Sequence, residues 1–330
     1  METVKFNKVF ESSLSSWKPD RPTSRGATAF HDVVINSPWN HECLDELINL
    51  AEPKIKENDI VVDFGAGTGT SAVRILEKLK TKIKLWLVDN SPAWLGKAYE
   101  CLSSKQNVNF FVLEKKGKRT ATLSETLGKN VVNHVISANT VHLIPDLKET
   151  FKGIAEALKA GGTFVFNSAN VTRKGRPKGA LMLDSTVYRV HDIAIEIIRK
   201  NSKFEKYRKG LDERIELCTP QRKFVFPYPR PIQVYLKALE QSGFKYLGPY
   251  YRCFKLKYSD WLKFLRVKRL QAGILPEIGG KEASPQEEQD RDELITMASK
   301  NLFKELEAQN PLADNKTYTG EWVYVAAAKY

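Results

Sequence analysis

Cysteine is scarce in this chain: four residues in 330, Cys43, Cys101, Cys218 and Cys253, with no C-x-x-C pair among them. So spaced, they supply neither a disulfide framework nor a cysteine metal cluster, and they suit a reduced, cytoplasmic protein without a structural metal. Long apolar runs are missing as well. No stretch approaches the roughly 18 apolar residues that suggest a membrane-spanning helix, and Met1 to Ser16 mixes charges where a secretory leader would carry an apolar core. No internal repeat is visible. What the chain has in excess is positive charge, +13 overall, and it is unevenly placed. Residues 1–170 hold 22 Lys and Arg against 19 Asp and Glu, residues 171–257 hold 20 against 8, and residues 258–330 hold 10 against 12.

The most informative segment is Ile60-Val61-Val62-Asp63-Phe64-Gly65-Ala66-Gly67-Thr68-Gly69-Thr70. An apolar run of this kind reads as a buried strand, and Ser71 to Leu79 reads as the helix after it. Alternate glycines allow positive φ in the turn and let a ligand approach bare backbone, and the helix start offers free N–H groups. A second strand, Ile83 to Val88, ends in Asp89, twenty residues past Gly69. An acid there suits the two hydroxyls of a ribose. The spacing is G-x-G-x-G rather than the dinucleotide G-x-G-x-x-G, with Thr70 where the third glycine of that pattern would fall. Asp63 would repel a pyrophosphate and attract a cationic ligand. A dehydrogenase therefore fits poorly.

An acid followed by G-x-G-x-G resembles the first motif of the class I S-adenosylmethionine-dependent methyltransferases, whose cofactor carries a sulfonium and an ammonium. The likeness continues in the family's order through residues 55–170. Val88 to Ala98 is similar to the family's ribose-binding strand end and helix, with Ser91 as N-cap and Pro92 as first helical residue. Asn107 to Leu113 forms the third strand, followed by Glu114 near the family's acid for the adenine amine. Val131 to Ser137 forms the fourth, running into Ala138-Asn139-Thr140-Val141-His142 at the place of the transferred methyl. A helix over 147–158 then closes on Gly161-Gly162 before the fifth strand, Thr163 to Asn167.

The resemblance implies an α/β fold, a doubly wound, seven-stranded Rossmann-like sheet with an antiparallel last strand and added helical lid elements. Four parts follow: residues 1–54 as an arm and helix over the cofactor, 55–170 as the cofactor core, 171–230 as a basic substrate or lid insertion, and 231–330 as the end of the sheet, with a second insertion at about 257–319. Within these parts, residues 17–36 read as an extended arm and 37–52 as a helix begun at Pro38 and ended by Pro53. Residues 173–179 read as a mobile loop, Val187 to Ile198 as a lid helix, and Pro276 to Arg291 as a disordered polar stretch.

The resemblance implies S-adenosylmethionine as cofactor, held by Asp63, Gly65, Ala66, Gly67, Gly69, Thr70, Asp89, Asn90, Glu114 and Asn139. No metal is implied. Positioning can carry much of methyl transfer, and a base is needed only if the acceptor loses a proton. His142 is the leading base candidate, with Tyr188 and His191 on the lid helix behind it and His31 and His41 further back. Each also suits a purely structural role. The sequence Ser137-Ala138-Asn139-Thr140 lacks the Pro-Pro-Tyr signature of amino-methyltransferases acting on DNA adenine.

The basic segment is open to nucleic acid, an anionic membrane surface, an acidic small substrate or plain solvation, and no RNA-binding module is recognisable. The reading favoured is transfer to the O or C of a small, largely apolar or aromatic acceptor that carries an acidic group. An RNA or protein methyltransferase and a non-catalytic cofactor-binding protein stand as alternatives. Oligomeric state has no signature.

Overall fold

A computed structural model describes residues 14–280, 282–309 and 316–330; most of the N-terminal stretch read as lacking a leader core lies outside them. Seven strands form the main sheet: β1 Ile60–Phe64, β2 Lys84–Asp89, β3 Val108–Val112, β4 Val132–Ser137, β5 Leu158–Ser168, β6 Phe244–Lys257 and β7 Thr317–Lys329. Their order is β6-β7-β5-β4-β1-β2-β3, and a two-residue strand, Ala180–Leu181, pairs alongside β7. β7 runs antiparallel to both its long neighbours, while β1 to β5 pair parallel. All five residues of β1 are buried, as a strand covered on both faces requires. Alternate residues feed two cores: Val61, Leu85, Leu87 and Ile136 on one face, Val62, Val88, Val135 and Phe166 on the other. The chain order reverses between β1 and β4, which opens a crevice at the carboxyl ends of those strands.

Helices α1 Arg25–Ile35, α2 Pro38–Ala51, α3 Thr70–Lys78, α4 Pro92–Leu102, α5 Leu123–Leu127 and α6 Leu147–Ala157 belong to the first half of the chain. α7 Leu183–Lys200, α8 Leu211–Val225 and α9 Ile232–Gln241 precede β6, and α10 Tyr258–Leu265, α11 Lys268–Ile274 and α12 Pro285–Gln309 lie between β6 and β7. The insertion between the last two strands is therefore present and helical.

Four local expectations are corrected. Residues 17–36 are not all extended: Ser24 accepts a hydrogen bond from the Ala27 amide and starts α1, which buries Ala27, His31 and Val34. Only the beginning is extended, with the Trp17 amide donating to the Phe110 carbonyl at 2.7 Å along β3. Gly161-Gly162 does not cap α6, because the helix ends at Ala157 and Leu158 is already extended. Gly162 serves close packing instead, since a Cβ there would lie 2.7 Å from the Asn133 carbonyl oxygen. The 173–179 loop is pinned, with Arg173 making two hydrogen bonds to the buried Glu321 and lying 4.0 Å from the centre of the Tyr251 ring. Finally, the described part of Pro276–Arg291 is ordered. Ile278 is buried, Arg291 donates to the carbonyls of Ile278 and Gly280, and Asp290 accepts from Tyr207 and pairs with Lys206. Polar composition misleads here because its polar groups have partners inside the fold.

The uneven charge has a structural counterpart. Basic residues of 171–257 pair with acids of 258–330: Arg173 with Glu321, Arg189 with Glu305, Lys203 with Glu293, Lys206 with Asp290 and Arg222 with Glu277. Only the Arg222–Glu277 pair has both side chains buried, and His191 approaches the same Glu277 oxygen at 3.3 Å. Removing one partner of such a pair leaves an uncompensated charge. Glu277→Ala is expected to lower stability by about 3 kcal/mol or more, measured by urea unfolding, whereas Arg222→Met with Glu277→Leu should recover most of the loss. A silent single variant would show that water reaches the pair.

Candidate functional site

The glycine-rich turn at the end of β1 takes the left-handed conformations its sequence allows: φ is +73° at Gly65, +53° at Gly67 and +82° at Gly69. Gly69 is the N-cap of α3 and Thr70 its first residue. The outer two glycines are also needed for packing. A Cβ on Gly65 would lie 2.2 Å from the Thr140 side chain, and one on Gly69 would lie 2.9 Å from Ala98. The Gly65 and Ala66 amides donate to the Val88 carbonyl at 2.8 and 3.1 Å, which ties the loop to β2.

Asp63 and Asp89 end adjacent strands. Asp63 is fully buried; its Oδ2 accepts from Ser71 at 2.6 Å, while Oδ1 has no partner. Burial pushes its pKa up to about 7, and the nearby Asp89 charge acts in the same direction. Asp89 is oriented by the loop itself: Oδ2 accepts from the Gly67 amide and Oδ1 from the Ser91 amide, both at 2.8 Å. A carboxylate has about four lone-pair sites, so each oxygen keeps capacity for a ligand donor. Asn90 is exposed beside it. Glu114 is exposed too, one residue beyond Leu113, whose amide donates to the Asp89 carbonyl.

Across the crevice, Asn139 has a φ of +50° just after β4. Its amide donates to Asn167 Oδ1 and its side-chain oxygen accepts from Trp322, both at 2.9 Å. The Asn167 side chain in turn reaches Cys43, to which Tyr324 also donates. Burial pushes the Cys43 thiol up to about 12, so it stays protonated.

His142 follows in the single turn Val141–Leu143. Arg230 holds that turn by donating to the carbonyls of Val141, His142 and Ile144 at 3.2, 3.2 and 2.8 Å. His142 Nδ1 lies 3.0 Å from Ser168 Oγ, and Nε2 lies 3.6 Å from Asp184 Oδ2. Burial, with the Arg230 charge added, pushes the His142 pKa down to about 3, and burial raises Asp184 to about 7. Asp184 Oδ2 and Asn170 Oδ1 are buried without hydrogen-bond partners.

The other two base candidates lie elsewhere on α7. The Tyr188 hydroxyl donates to the Phe226 carbonyl and its ring stacks on Tyr228 at 4.8 Å, so its proton is already engaged. His191 faces Glu277 and Asp192. The structure therefore sets Asp63, the glycine loop and Asp89 together at the ends of β1 and β2. Asn139 lies just past the neighbouring β4, Thr140 donates to the Gly65 carbonyl, and His142 follows two residues after Thr140. Ser168, Asp184 and Arg230 are additions that the sequence reading missed. The one local signal for Asp184 was its spacing, four residues before Tyr188 and seven before His191, which places all three on one helix face.

With that geometry in view, residues 55–216 match a family model described as a methyltransferase domain. The chain is 22% identical over 271 residues to the carboxy-S-adenosyl-L-methionine synthase of Nautilia profundicola, a match covering 81% of this chain and 100% of that protein. It is 27% identical over 121 residues to the highly reducing polyketide synthase calA of Penicillium decumbens, covering 36% of this chain but only 4% of the synthase's length. The YcgJ protein of Bacillus subtilis shares the fold at a TM-score of 0.51 and 15% identity, over 88% of this chain and 98% of that one. So does Haemonchus contortus phosphoethanolamine N-methyltransferase 2, solved with S-adenosyl-L-methionine, at a TM-score of 0.50 and 17% identity over 92% and 56%.

Asp63 offers a test of the buried carboxylate. Its folded pKa lies above the unfolded value near 3.9, so the stability it contributes is present in acid and lost as pH rises towards about 7. In ligand-free protein, Asp63→Asn is expected to gain on the wild type between about pH 4 and 7, by up to about 4 kcal/mol, and then to level off. Denaturant unfolding across that range measures it; a gap that does not change with pH would place the carboxyl's pKa in the ordinary range.

Proposed function

With residues 55–216 belonging to the class I S-adenosylmethionine-dependent methyltransferases, we propose that this enzyme methylates a small, largely apolar or aromatic acceptor at O or C. The observation that carries the reading is the pairing of buried His142, just past the end of β4, with half-buried Asp184, Nε2 to Oδ2 at 3.6 Å. When bound, the cofactor supplies a methyl group already activated for displacement.

The residues fit that cofactor. Asp63 Oδ1, buried and without a partner, suits an ammonium, whose charge would favour the ionised carboxylate. Asp89 takes the ribose hydroxyls on its free lone pairs, and the bare backbone from Gly65 to Gly69, with Ala66 and Thr70 beside it, admits the rest. Asn139, held by Asn167 and Trp322, borders the methyl side. Glu114 and Asn90 stand at the adenine end.

On the acceptor side, His142 is neutral and Ser168 orients its ring. An acceptor that must lose a proton gives it to the imidazole, and the ionised Asp184 carboxylate stabilises the imidazolium that forms. The proton acceptor is therefore a pair, competent when Asp184 has lost its own proton near pH 7. Tyr188 and Tyr228 stack on each other, and the buried Tyr235 lies near Arg230 and Asp184; aromatic rings close to His142 and Asp184 are in keeping with an apolar acceptor. Both curated relatives are named for small-molecule chemistry.

The ion pairs that engage Arg173, Arg189, Lys203, Lys206 and Arg222 reduce the case for the basic segment as a nucleic-acid surface. An acidic group on a small acceptor stays within the proposal. Among the described residues no helix is long and apolar enough to cross a membrane, and the four free cysteines suit the reducing compartment proposed for the enzyme, the cytoplasm.

S-adenosylmethionine and its demethylated product should raise the melting temperature, and NAD should not; stabilisation by NAD alone would overturn the cofactor assignment. Once an acceptor is found by screening small acids and phenols, His142→Ala should lower kcat by about 10²-fold or more with cofactor affinity intact. Activity should rise with pH through about 7 as Asp184 ionises, and Asp184→Asn should abolish that rise. A kcat indifferent to both substitutions would mean positioning alone is the catalytic device. Methylation of RNA with no small-molecule turnover would replace this acceptor class.

A further inference from the structure

The insertion between β6 and β7 reaches the cofactor loop. Arg269, second residue of α11, lies with its guanidinium 4.6 Å from the centre of the Trp94 ring. Its Cβ is 3.8 Å from where Gly26 of α1 would carry a side chain. Trp94 is held edge-on by Phe30 at 4.5 Å, and its ring edge lies 3.7 Å from the Cβ position of Gly67. A chain of contacts thus runs from the insertion through Trp94 to the middle glycine of the loop, whose amide orients Asp89. Arg269 and Asp89 feel each other's charge, and among the described residues the guanidinium engages no carboxylate as an ion pair.

The chemistry of a ribose diol fits this juxtaposition. Each hydroxyl donates one hydrogen and keeps two acceptor lone pairs. Asp89 can only accept when ionised, so it satisfies the donors and leaves the diol oxygens without a donor of their own. A guanidinium is donor-only and planar, and the face of an indole is a good support for it. We propose that Arg269 is a cofactor-binding residue: Asp89 and Arg269 clamp the ribose diol from two sides, the carboxylate accepting from the hydroxyls and the guanidinium donating to their oxygens, with Trp94 as its platform. The proposal rests on the S-adenosylmethionine reading above. It gives the insertion a part in cofactor recognition and supplies a polar contact on the adenosine side.

Isothermal titration of the full chain with S-adenosylhomocysteine and with its 2′,3′-dideoxyribose analogue tests the clamp. Arg269 lies at the surface, so Arg269→Ala should melt as the wild type does. It should bind S-adenosylhomocysteine about tenfold more weakly and the dideoxy analogue as the wild type does, and Arg269→Lys should recover part of the loss. Unchanged affinity for S-adenosylhomocysteine, or equal losses for both ligands, would overturn the diol clamp. Wild-type protein that binds neither ligand would overturn the cofactor reading itself, an outcome distinct from the first two.

Discussion

Two carboxylates, Asp63 and Asp89, stand at the ends of adjacent parallel strands in a space that water barely reaches. Their mutual repulsion raises the pKa of Asp63 further than burial does alone. Most of the surrounding geometry serves to hold them. The left-handed glycines turn the Gly67 amide onto Asp89, Ser91 supplies a second amide, and Ser71 at the start of α3 takes one oxygen of Asp63. One oxygen of Asp63 is left without a donor. Even with the Arg269 charge felt at Asp89, two clustered acids make the site complementary to a cation and unfavourable for a pyrophosphate, and this electrostatic preference separates it from a dinucleotide fold built on the same strand–loop–helix scaffold.

The second half of the chain is built around a different electrostatic problem. A strongly basic segment, 171–257, would repel itself if left exposed. Acids from the insertion and the last strand meet it instead: Glu277, Asp290, Glu293, Glu305 and Glu321 each face a Lys or Arg of that segment. Several of these pairs are exposed and individually weak. The buried Arg222–Glu277 pair with His191, and Arg173 on the buried Glu321, define where α7, α8 and the 173–179 loop must lie. The placement of α7 follows, and with it Asp184 comes within 3.6 Å of His142.

Several parts of this arrangement were legible in the chain. The apolar run ending in Asp63, the alternate glycines and Asp89 at the end of the next strand follow from periodicity and turn chemistry, because each is a local pattern, whereas the antiparallel last strand followed from the family likeness alone. Composition misled where local polarity was answered by distant partners. Residues 276–291 read as disordered because Glu, Gln and Gly dominate them, yet Arg291 and Asp290 find partners in the fold. Residues 25–35 read as extended because the apolar face of α1 becomes evident only against α3, α4 and α10. Tyr188 and His191 shared a helix face with the site, but their polar atoms meet Phe226 and Glu277 instead.

By itself the sequence determined the strand–loop–helix unit, the two acids and the kind of cofactor they suit, since these depend on residues within about one strand, loop and strand of each other. Only the tertiary structure decided which carboxylate each candidate histidine meets, where the basic segment finds its acids, and that an insertion helix brings Arg269 against Trp94. Those outcomes join residues far apart in the chain, His142 with Asp184, Arg173 with Glu321 and Trp94 with Arg269. No local propensity encodes such contacts; they exist because packing brings helices and strand ends together around a sheet whose order reverses between β1 and β4.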